Sequence, residues 1–133
     1  MMATVVALAA CFVSSETPGR YTYAVKYALT GSIVAAADVT YTDETGTGAT
    51  VLAVTVPWSV EFTMDYDYDN PLFPDARVFN SVLADGETVT LSISWKDYKV
   101  DFAEELLADR AEANSSGGPL PLDITLFSAP LPP

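Results

Sequence analysis

Alternation of apolar and polar residues is the dominant pattern of the chain after its first twenty residues. Apolar or aromatic residues occupy every second position from Tyr21 to Leu29, and the positions between them are small or polar. The same alternation runs from Thr88 to Trp95. Successive side chains of a β-strand point to opposite faces, so this period of two predicts strands with one face in a core and the other in water.

Five further segments have an extended character and are separated by turn residues. They comprise residues 33–42, 51–56, 59–65, 77–83 and 122–127. Turn chemistry occurs at 43–46 and 84–87, and Pro57 marks a corner around which the second and third of these segments are predicted to form a hairpin-like pair. Several short strands with turns about every ten residues predict an all-β sandwich or barrel.

Residues 101–113 give a different signal. The segment is rich in helix formers such as Glu104 and Leu107, and Asp101 stands three residues before Glu104, which is the spacing of a capping box. Residues 114–119 are rich in Ser, Gly and Pro, so they end the secondary-structure element formed by residues 101–113. The local pattern therefore predicts a short helix near the C-terminal third of the chain.

Carboxylates alternate in the segment that follows the strand predicted over 59–65. Asp65, Asp67 and Asp69 resemble the opening of a calcium-binding loop. The EF-hand pattern then fails, because Asn70 stands where glycine belongs and Ala76 where a bidentate glutamate belongs. An EF-hand is excluded, and a looser site is not.

Several interpretations of the acidic aromatic segment, residues 65–75, stay open. In one of them four carboxylates share a hard cation such as calcium, and these are Asp65, Asp67, Asp69 and Asp75. In another, residues 65–74 are a solvated acidic loop without a ligand. In a third, aromatic rings form a platform for a sugar or a peptide, and these are Tyr66, Tyr68, Trp58 and Phe73. Trp58 also suits a core position, because it follows a proline at a strand corner and would cover one end of the sandwich. Trp95 suits one too, since it lies on the apolar face of its predicted strand.

The amino terminus contains a short apolar run. Residues 5–13 are far fewer than the ~20 residues that a transmembrane helix needs. Within the run, Leu8-Ala9-Ala10-Cys11 matches the lipobox of bacterial lipoprotein signal peptides, which has an aliphatic residue three before the cysteine and small residues between. This motif implies cleavage before Cys11 and acylation of its sulfur, so that the acyl chains enter a membrane.

The chain therefore divides into a signal peptide over 1–10, the lipidated Cys11 with a linker over 11–20, and a β-domain over 21–133. Signal peptides begin with basic residues, and no Lys or Arg precedes Arg20. Either the natural start lies further upstream, or Cys11 is a small buried apolar residue at the start of the domain.

Composition excludes several classes of function. Eighteen acidic residues against six basic ones give a net charge of −12, which repels the phosphates of nucleic acids. The chain has no histidine and a single cysteine, which excludes an intramolecular disulfide, a cysteine-based zinc cluster and histidine-dependent triads. Catalysis would have to rest on paired carboxylates, and no spacing fixes such a pair, so we expect a protein that is not an enzyme.

Three motifs connect the chain to a known family. They are Tyr23-x-Val25-x-Tyr27-x-x-x-Gly31, Val39-x-Tyr41-x-Asp43-x-x-Gly46 and Val54-x-Val56-Pro57-Trp58-Ser59-x-x-Phe62-Thr63. Over residues 21–100 the chain resembles the mycobacterial membrane protein small family and related exported domains of Bacteroidetes lipoproteins. The resemblance implies an immunoglobulin-like antiparallel β-sandwich of about seven strands, export and attachment to the cell envelope. It also implies an extended segment after residue 100, where the local pattern predicts a helix.

The expected function is that of a cell-envelope lipoprotein whose sandwich binds a partner protein, a glycan or an exporter component without catalysis. The alternative is a cation-dependent adhesion or carbohydrate-binding module that uses residues 65–75. The expected partners are a membrane, reached through the lipid on Cys11, and an envelope protein or glycan, but no nucleic acid. No cofactor is expected apart from calcium in the alternative.

Overall fold

The computed structural model describes residues 20–67, 73–97 and 105–127 of the 133-residue chain. These residues form eight strands, which are β1 (Arg20–Gly31), β2 (Ala37–Thr42), β3 (Gly48–Val54), β4 (Trp58–Asp67), β5 (Asp75–Leu83), β6 (Thr88–Asp97), β7 (Leu106–Asn114) and β8 (Leu120–Phe127). They build two four-stranded sheets in which every neighbouring pair is antiparallel. The predicted all-β sandwich is confirmed, with eight described strands instead of about seven.

The order of strands is β4-β1-β6-β7 in the first sheet and β3-β2-β5-β8 in the second. One end of the sandwich, which we call the terminal end, holds the start of β1 and the end of β8, where Arg20 pairs with Asp67 and Asp75 pairs with Phe127. The opposite end, the turn end, holds the connections 84–87 and 115–119. Every strand therefore runs between these two ends.

The core lies between the sheets and consists of the alternating apolar residues of the sequence. The fully buried side chains include Val25, Tyr27, Leu29, Val39, Met64, Val78, Leu83, Val89, Leu91 and Ile93. Complete burial of one such side chain contributes about 1.5–3 kcal/mol, so the fold needs no disulfide.

The two sides of the sandwich differ. On one side the edge strands β7 and β8 approach each other and close the gap between the sheets. On the other side the edge strands are β3 and β4, which make little contact, and half-buried side chains from both sheets lie between them. We call this second side the open side.

The end of β1 approaches β6 very closely. Gly31 has a φ of +133°, and a Cβ at this position would lie 2.8 Å from Val89 Cα and still nearer the Thr88 carbonyl oxygen. That oxygen accepts hydrogen bonds from the amides of Ser32, at 2.9 Å, and Ile33, at 3.1 Å. Only glycine fits this junction, because it lacks a Cβ and tolerates a positive φ.

A carboxylate at the start of β2 bridges irregularities in both neighbouring strands. Asp38 accepts hydrogen bonds from the Ala53 amide of β3, at 3.0 Å, and from Asn80 Nδ2 of β5, at 2.9 Å. Both donor residues are left-handed, with φ values of +56° and +59°, and each lies next to a register shift. A left-handed residue at a β-bulge strengthens the local twist, so Asp38 links two bulges across its own strand.

The helix predicted over residues 101–113 is wrong where the structure describes it. Residues 106–114 form β7, which pairs with β6 from Thr88 opposite Asn114 to Trp95 opposite Leu106. The free edge of β6 offers backbone partners along this whole length, and tertiary pairing of this kind overrides weak helix propensity. Residues 101–104 lie outside the described part of the chain.

The hairpin-like pair predicted around Pro57 is also wrong. β3 belongs to the second sheet and β4 to the first, so residues 55–57 carry the chain from one sheet to the other. The Val56–Pro57 peptide bond is cis. Residues 33–36, at the start of the predicted segment 33–42, are likewise not part of a strand, because β2 begins only at Ala37.

Candidate binding site

The acidic aromatic segment begins inside a strand. Asp65 and Asp67, which were predicted to lie in a loop, are the end of β4 and pair in register with Thr22 and Arg20 of β1. The Thr22 hydroxyl donates a hydrogen bond to Asp65 Oδ1 at 2.8 Å. Tyr66 lies between them on the same strand. Cross-strand partners hold this acidic stretch extended, and single-sequence reasoning about turn residues could not detect them.

Asp75 stands apart from Asp65. Met64 is buried, so Asp65 points outward from the first sheet, and Ala76 is buried, so Asp75 points outward from the second. Asp75 Oδ1 accepts a hydrogen bond from Thr42 Oγ1 at 2.5 Å. These two carboxylates therefore lie on opposite faces of the sandwich and do not converge on one cation.

The remaining members of the predicted site fall outside the described residues. Tyr68 and Asp69 belong to the segment 68–72, and Cys11 precedes Arg20. Within 20–67, 73–97 and 105–127, no three Asp, Glu or Cys side chains are grouped closely enough to hold a metal ion. Calcium binding by Asp65, Asp67 and Asp69 stays a prediction.

A buried tyrosine connects the core to the terminal end. The Tyr27 hydroxyl donates a hydrogen bond to the Thr42 carbonyl oxygen at 2.8 Å. Burial raises the pKa of Tyr27 well above its usual range, and the nearby carboxylates of Asp75 and Asp43 and the hydroxyl of Tyr41 raise it further. Tyr27 is therefore a neutral structural donor at physiological pH.

Aromatic rings fill the open side of the sandwich. Tyr41 of β2 contacts Tyr27, with ring centroids 5.2 Å apart, and Trp58 of β4, with centroids 6.0 Å apart. Phe62 of β4 stacks on Tyr41 at 6.1 Å. Tyr27 is buried, whereas the other three rings are half-buried. We call Tyr41, Trp58 and Phe62 the edge aromatic cluster, because it covers the core between β3 and β4.

Both tryptophans lie at the core positions that the sequence suggests for them. Trp58 and Trp95 both pack against the core, and Trp95 meets the Tyr23 ring edge to face at 4.9 Å. Trp58 and Phe73 do not form one platform. Trp58 starts β4 at the turn end and Phe73 precedes β5 at the terminal end, and nine steps of about 3.3 Å separate the two ends of β4 by about 30 Å.

Three described carboxyl groups have a lowered pKa, and each has a structural partner. The Asn80 amide and then the Ala53 amide lower the pKa of Asp38. The Thr45 hydroxyl and amide lower that of Asp43, which forms the turn between β2 and β3. A catalytic acid would need a raised pKa instead.

The Arg77 guanidinium lowers the pKa of Asp123 through two parallel hydrogen bonds of 2.9 and 2.7 Å. Arg77 also lies over the Phe79 ring, 4.4 Å from its centroid. This group is on the outer face of the second sheet, at the pairing of β5 with β8. It links the two strands on the solvent side of a backbone pairing that already joins them.

Sequence reasoning missed the open side and the bulges that accompany it. Ala53 and Asn80 carry no signal for a left-handed conformation in a strand, although asparagine adopts it more readily than most residues. A depression of about 300 Å³ also lies beside the start of β4, on the outer face of the first sheet. It is lined by Lys26, Ala28, Thr30, Pro57, Trp58 and Ser59.

No helix in the described part of the chain is long and apolar enough to cross a membrane. No protein-family model matches the sequence, and a comparison with curated proteins finds no relative.

Proposed function

We propose that this protein is a lipid-anchored component of a bacterial cell envelope, and that its β-sandwich binds a partner without catalysing a reaction. The observation that carries the anchor is Leu8-Ala9-Ala10-Cys11, which is separated from β1 by the polar residues 14–19. A tether followed by a spacer is the arrangement that presents a folded domain at a membrane. The resemblance to the mycobacterial membrane protein small family, whose mycobacterial members are accessory subunits of exporters, is consistent with the same role.

The open side supports a binding role. The edge aromatic cluster is half-buried, and aromatic side chains with partial exposure are enriched at the centres of protein interfaces. The described carboxyl groups with a shifted pKa all serve strand pairing or turns, and their pKa values move down. Support for partner binding is therefore stronger than support for acid catalysis.

The test of the anchor is acylation of Cys11. We expect the chain, expressed in a bacterium with its own leader, to partition into detergent and to give an amino-terminal peptide that begins at Cys11 and carries acyl mass. Cys11→Ser should move the protein to the aqueous phase. An unmodified Cys11, or a Cys11→Ser variant that still partitions into detergent, would contradict the proposal.

The adhesion or carbohydrate-binding alternative has less support. Asp75 points away from the face that bears Asp65, and Trp58 lies at the other end of β4 from the acidic segment. A calcium-induced rise in melting temperature that is lost in Asp65→Asn would favour this alternative, since an ion that binds only the folded state stabilises it by mass action.

A further inference from the structure

β4 is an edge strand of the first sheet as the described residues build it. Among the described residues it pairs only with β1, in an uninterrupted register from Trp58 opposite Leu29 to Asp67 opposite Arg20. It contains ten residues and no proline. An edge strand of this length presents a row of backbone N–H and C=O groups that can pair with another extended chain.

The other three edge strands carry features that discourage such pairing. β3, β7 and β8 each shift register against their inner neighbour. β3 also contains the left-handed Ala53, and β8 contains Pro121, which lacks an amide hydrogen. Bulges and proline are the usual means by which proteins protect sheet edges, so β4 is the edge that is regular enough to pair.

The inner face of β4 is only partly covered. Trp58, Val60 and Phe62 face the core but are half-buried, as are Tyr41 and Val51 across the gap. On the opposite side of the sandwich, contact between β7 and β8 closes the gap. A strand added beside β4 would extend the first sheet and cover these residues with every second side chain.

The outer face of β4 determines the charge of such a strand. Glu61 and Asp65 are exposed there, and the whole chain has a net charge of −12. Opposite charges on neighbouring strands stabilise pairing, and like charges oppose it. Antiparallel pairing of two β4 strands about Thr63 would place Glu61 of each copy opposite Asp65 of the other, which disfavours a second copy as the occupant.

We propose that β4 is a docking edge for an extended segment of a partner protein in which apolar residues alternate with lysine or arginine. The apolar residues of the partner lie against the edge aromatic cluster, and its cations lie beside Glu61 and Asp65. Backbone hydrogen bonds to β4 supply the pairing, and the alternation supplies the specificity. This inference rests on the proposed binding function and names its surface and the chemistry of its partner.

The test uses the full 133-residue chain and synthetic peptides of eight residues. One peptide alternates valine and lysine, a second has the same composition with the lysines in one block, and a third alternates valine and glutamate. Binding is followed by amide chemical shifts, which locate the peptide, and by tryptophan emission. We expect the first peptide to bind saturably, with the largest shifts along β4, and the other two to bind at least about tenfold more weakly.

Charge-reversed variants separate specific docking from general attraction. A double variant that carries both Glu61→Lys and Asp65→Lys should bind the alternating valine–lysine peptide about tenfold more weakly than the unaltered chain does. The same variant should bind the alternating valine–glutamate peptide more tightly. Glu112→Lys on β7 is the matched control, because it changes a carboxylate at the other edge of the same sheet. This control should bind the lysine peptide almost as well as the unaltered chain.

Three results would overturn the proposal. One is equal affinity for the alternating and the block peptide, together with a loss of affinity in Glu112→Lys as large as in the variant that carries Glu61→Lys and Asp65→Lys. Another is a set of shifts centred on β3, β7 or β8. A third is slow hydrogen exchange at all β4 amides of the free chain, because residues 1–19 or a second copy would then already occupy the edge.

Failure of this proposal is distinguishable from failure of the proposed function. Acylation of Cys11 without binding of any of the three peptides would support the envelope role and refute the proposed docking edge on β4. Binding of the alternating valine–lysine peptide along β4 without acylation of Cys11 would support the docking edge and refute the lipid anchor.

Discussion

Three glycines allow the cost of the close contact between β1 and β6 to be measured separately from the cost of backbone strain. Gly48 has space for a Cβ and an ordinary φ, Gly86 has space but a φ of +84°, and Gly31 has a φ of +133° and no space. Alanine at each position therefore adds one effect at a time. The readout is denaturant unfolding at 25 °C, followed by tryptophan emission.

The expected free energies follow from these differences. Gly48→Ala should raise the free energy of unfolding by about 0.4–1 kcal/mol, because alanine lowers the entropy of the unfolded chain. Gly86→Ala should lower it by about 1–2 kcal/mol, the cost of a left-handed L-residue. Gly31→Ala should lower it by about 3–5 kcal/mol, because the Cβ must also displace the Thr88 carbonyl group that accepts two amide hydrogen bonds.

The difference between Gly31→Ala and Gly86→Ala is the decisive quantity. We expect a difference of at least about 1 kcal/mol, the lower end of the cost of forcing an extra carbon into a packed site. Equal losses at Gly31 and Gly86 would refute the close approach of β1 to β6, since strain alone would then account for both. Unchanged denaturant slopes would show that each variant alters stability and not compactness.

Three further measurements address the open side, the bulges and the buried tyrosine. Trp58→Ala should lower the free energy of unfolding by about 1.5–3 kcal/mol in the same denaturant assay. This loss is smaller than for a fully buried tryptophan, because the Trp58 ring is half-buried. A neutral result would contradict the packing of Trp58 against Tyr41. Ala53→Gly should leave stability equal or raise it by up to about 1 kcal/mol, since it relieves a positive φ, and a large loss in thermal unfolding would contradict the left-handed conformation. Tyr27 has a raised pKa in the folded state, so the free energy of unfolding should fall as the pH rises above about 10, where tyrosine in the unfolded chain ionises first. Tyr27→Phe should lose the hydrogen bond to the Thr42 carbonyl oxygen, at a cost of about 1 kcal/mol. In melting curves recorded at increasing pH, this variant should also show a smaller loss of stability above about pH 10 than the unaltered chain.

The alternation of apolar residues was sufficient to predict most of the sandwich. β1 and β6 have the strongest alternation, and both are inner strands of the first sheet, flanked on each side. An inner strand of this kind buries one complete face, so its periodicity is most regular. The assignment of Trp95 to the core followed from the same periodicity.

The errors lie at edge strands, where pairing and not side-chain pattern determines the structure. Residues 106–113 have helix propensity, but the exposed edge of β6 recruits them as β7. Asp65 and Asp67 resemble turn residues, but β1 offers Thr22 and Arg20 as cross-strand partners. The partners of Asp65 and Asp67 lie more than forty positions away in the sequence and leave no local signal.

The open side could not be predicted from the sequence for a related reason. Reasoning from the sequence grouped Asp65 with Asp75 because they are close along the chain, whereas β4 and β5 belong to different sheets. The open side joins Tyr41, Trp58 and Phe62 from β2 and β4, which belong to different sheets. Only the strand order reveals that these residues meet.

The position of both chain ends has a consequence for how the domain is presented. The chain enters at Arg20 and leaves at Phe127, and both lie at the terminal end. Any anchor attached before β1 is therefore joined to the domain at this end, and the turn end is the part of the domain furthest from the attachment. Because β4 is about 30 Å long, the turn end lies roughly that far from Arg20. The edge of β4 runs the length of the domain between these two ends, so a partner strand beside it would lie along the flank of the domain and not across the end that bears the attachment.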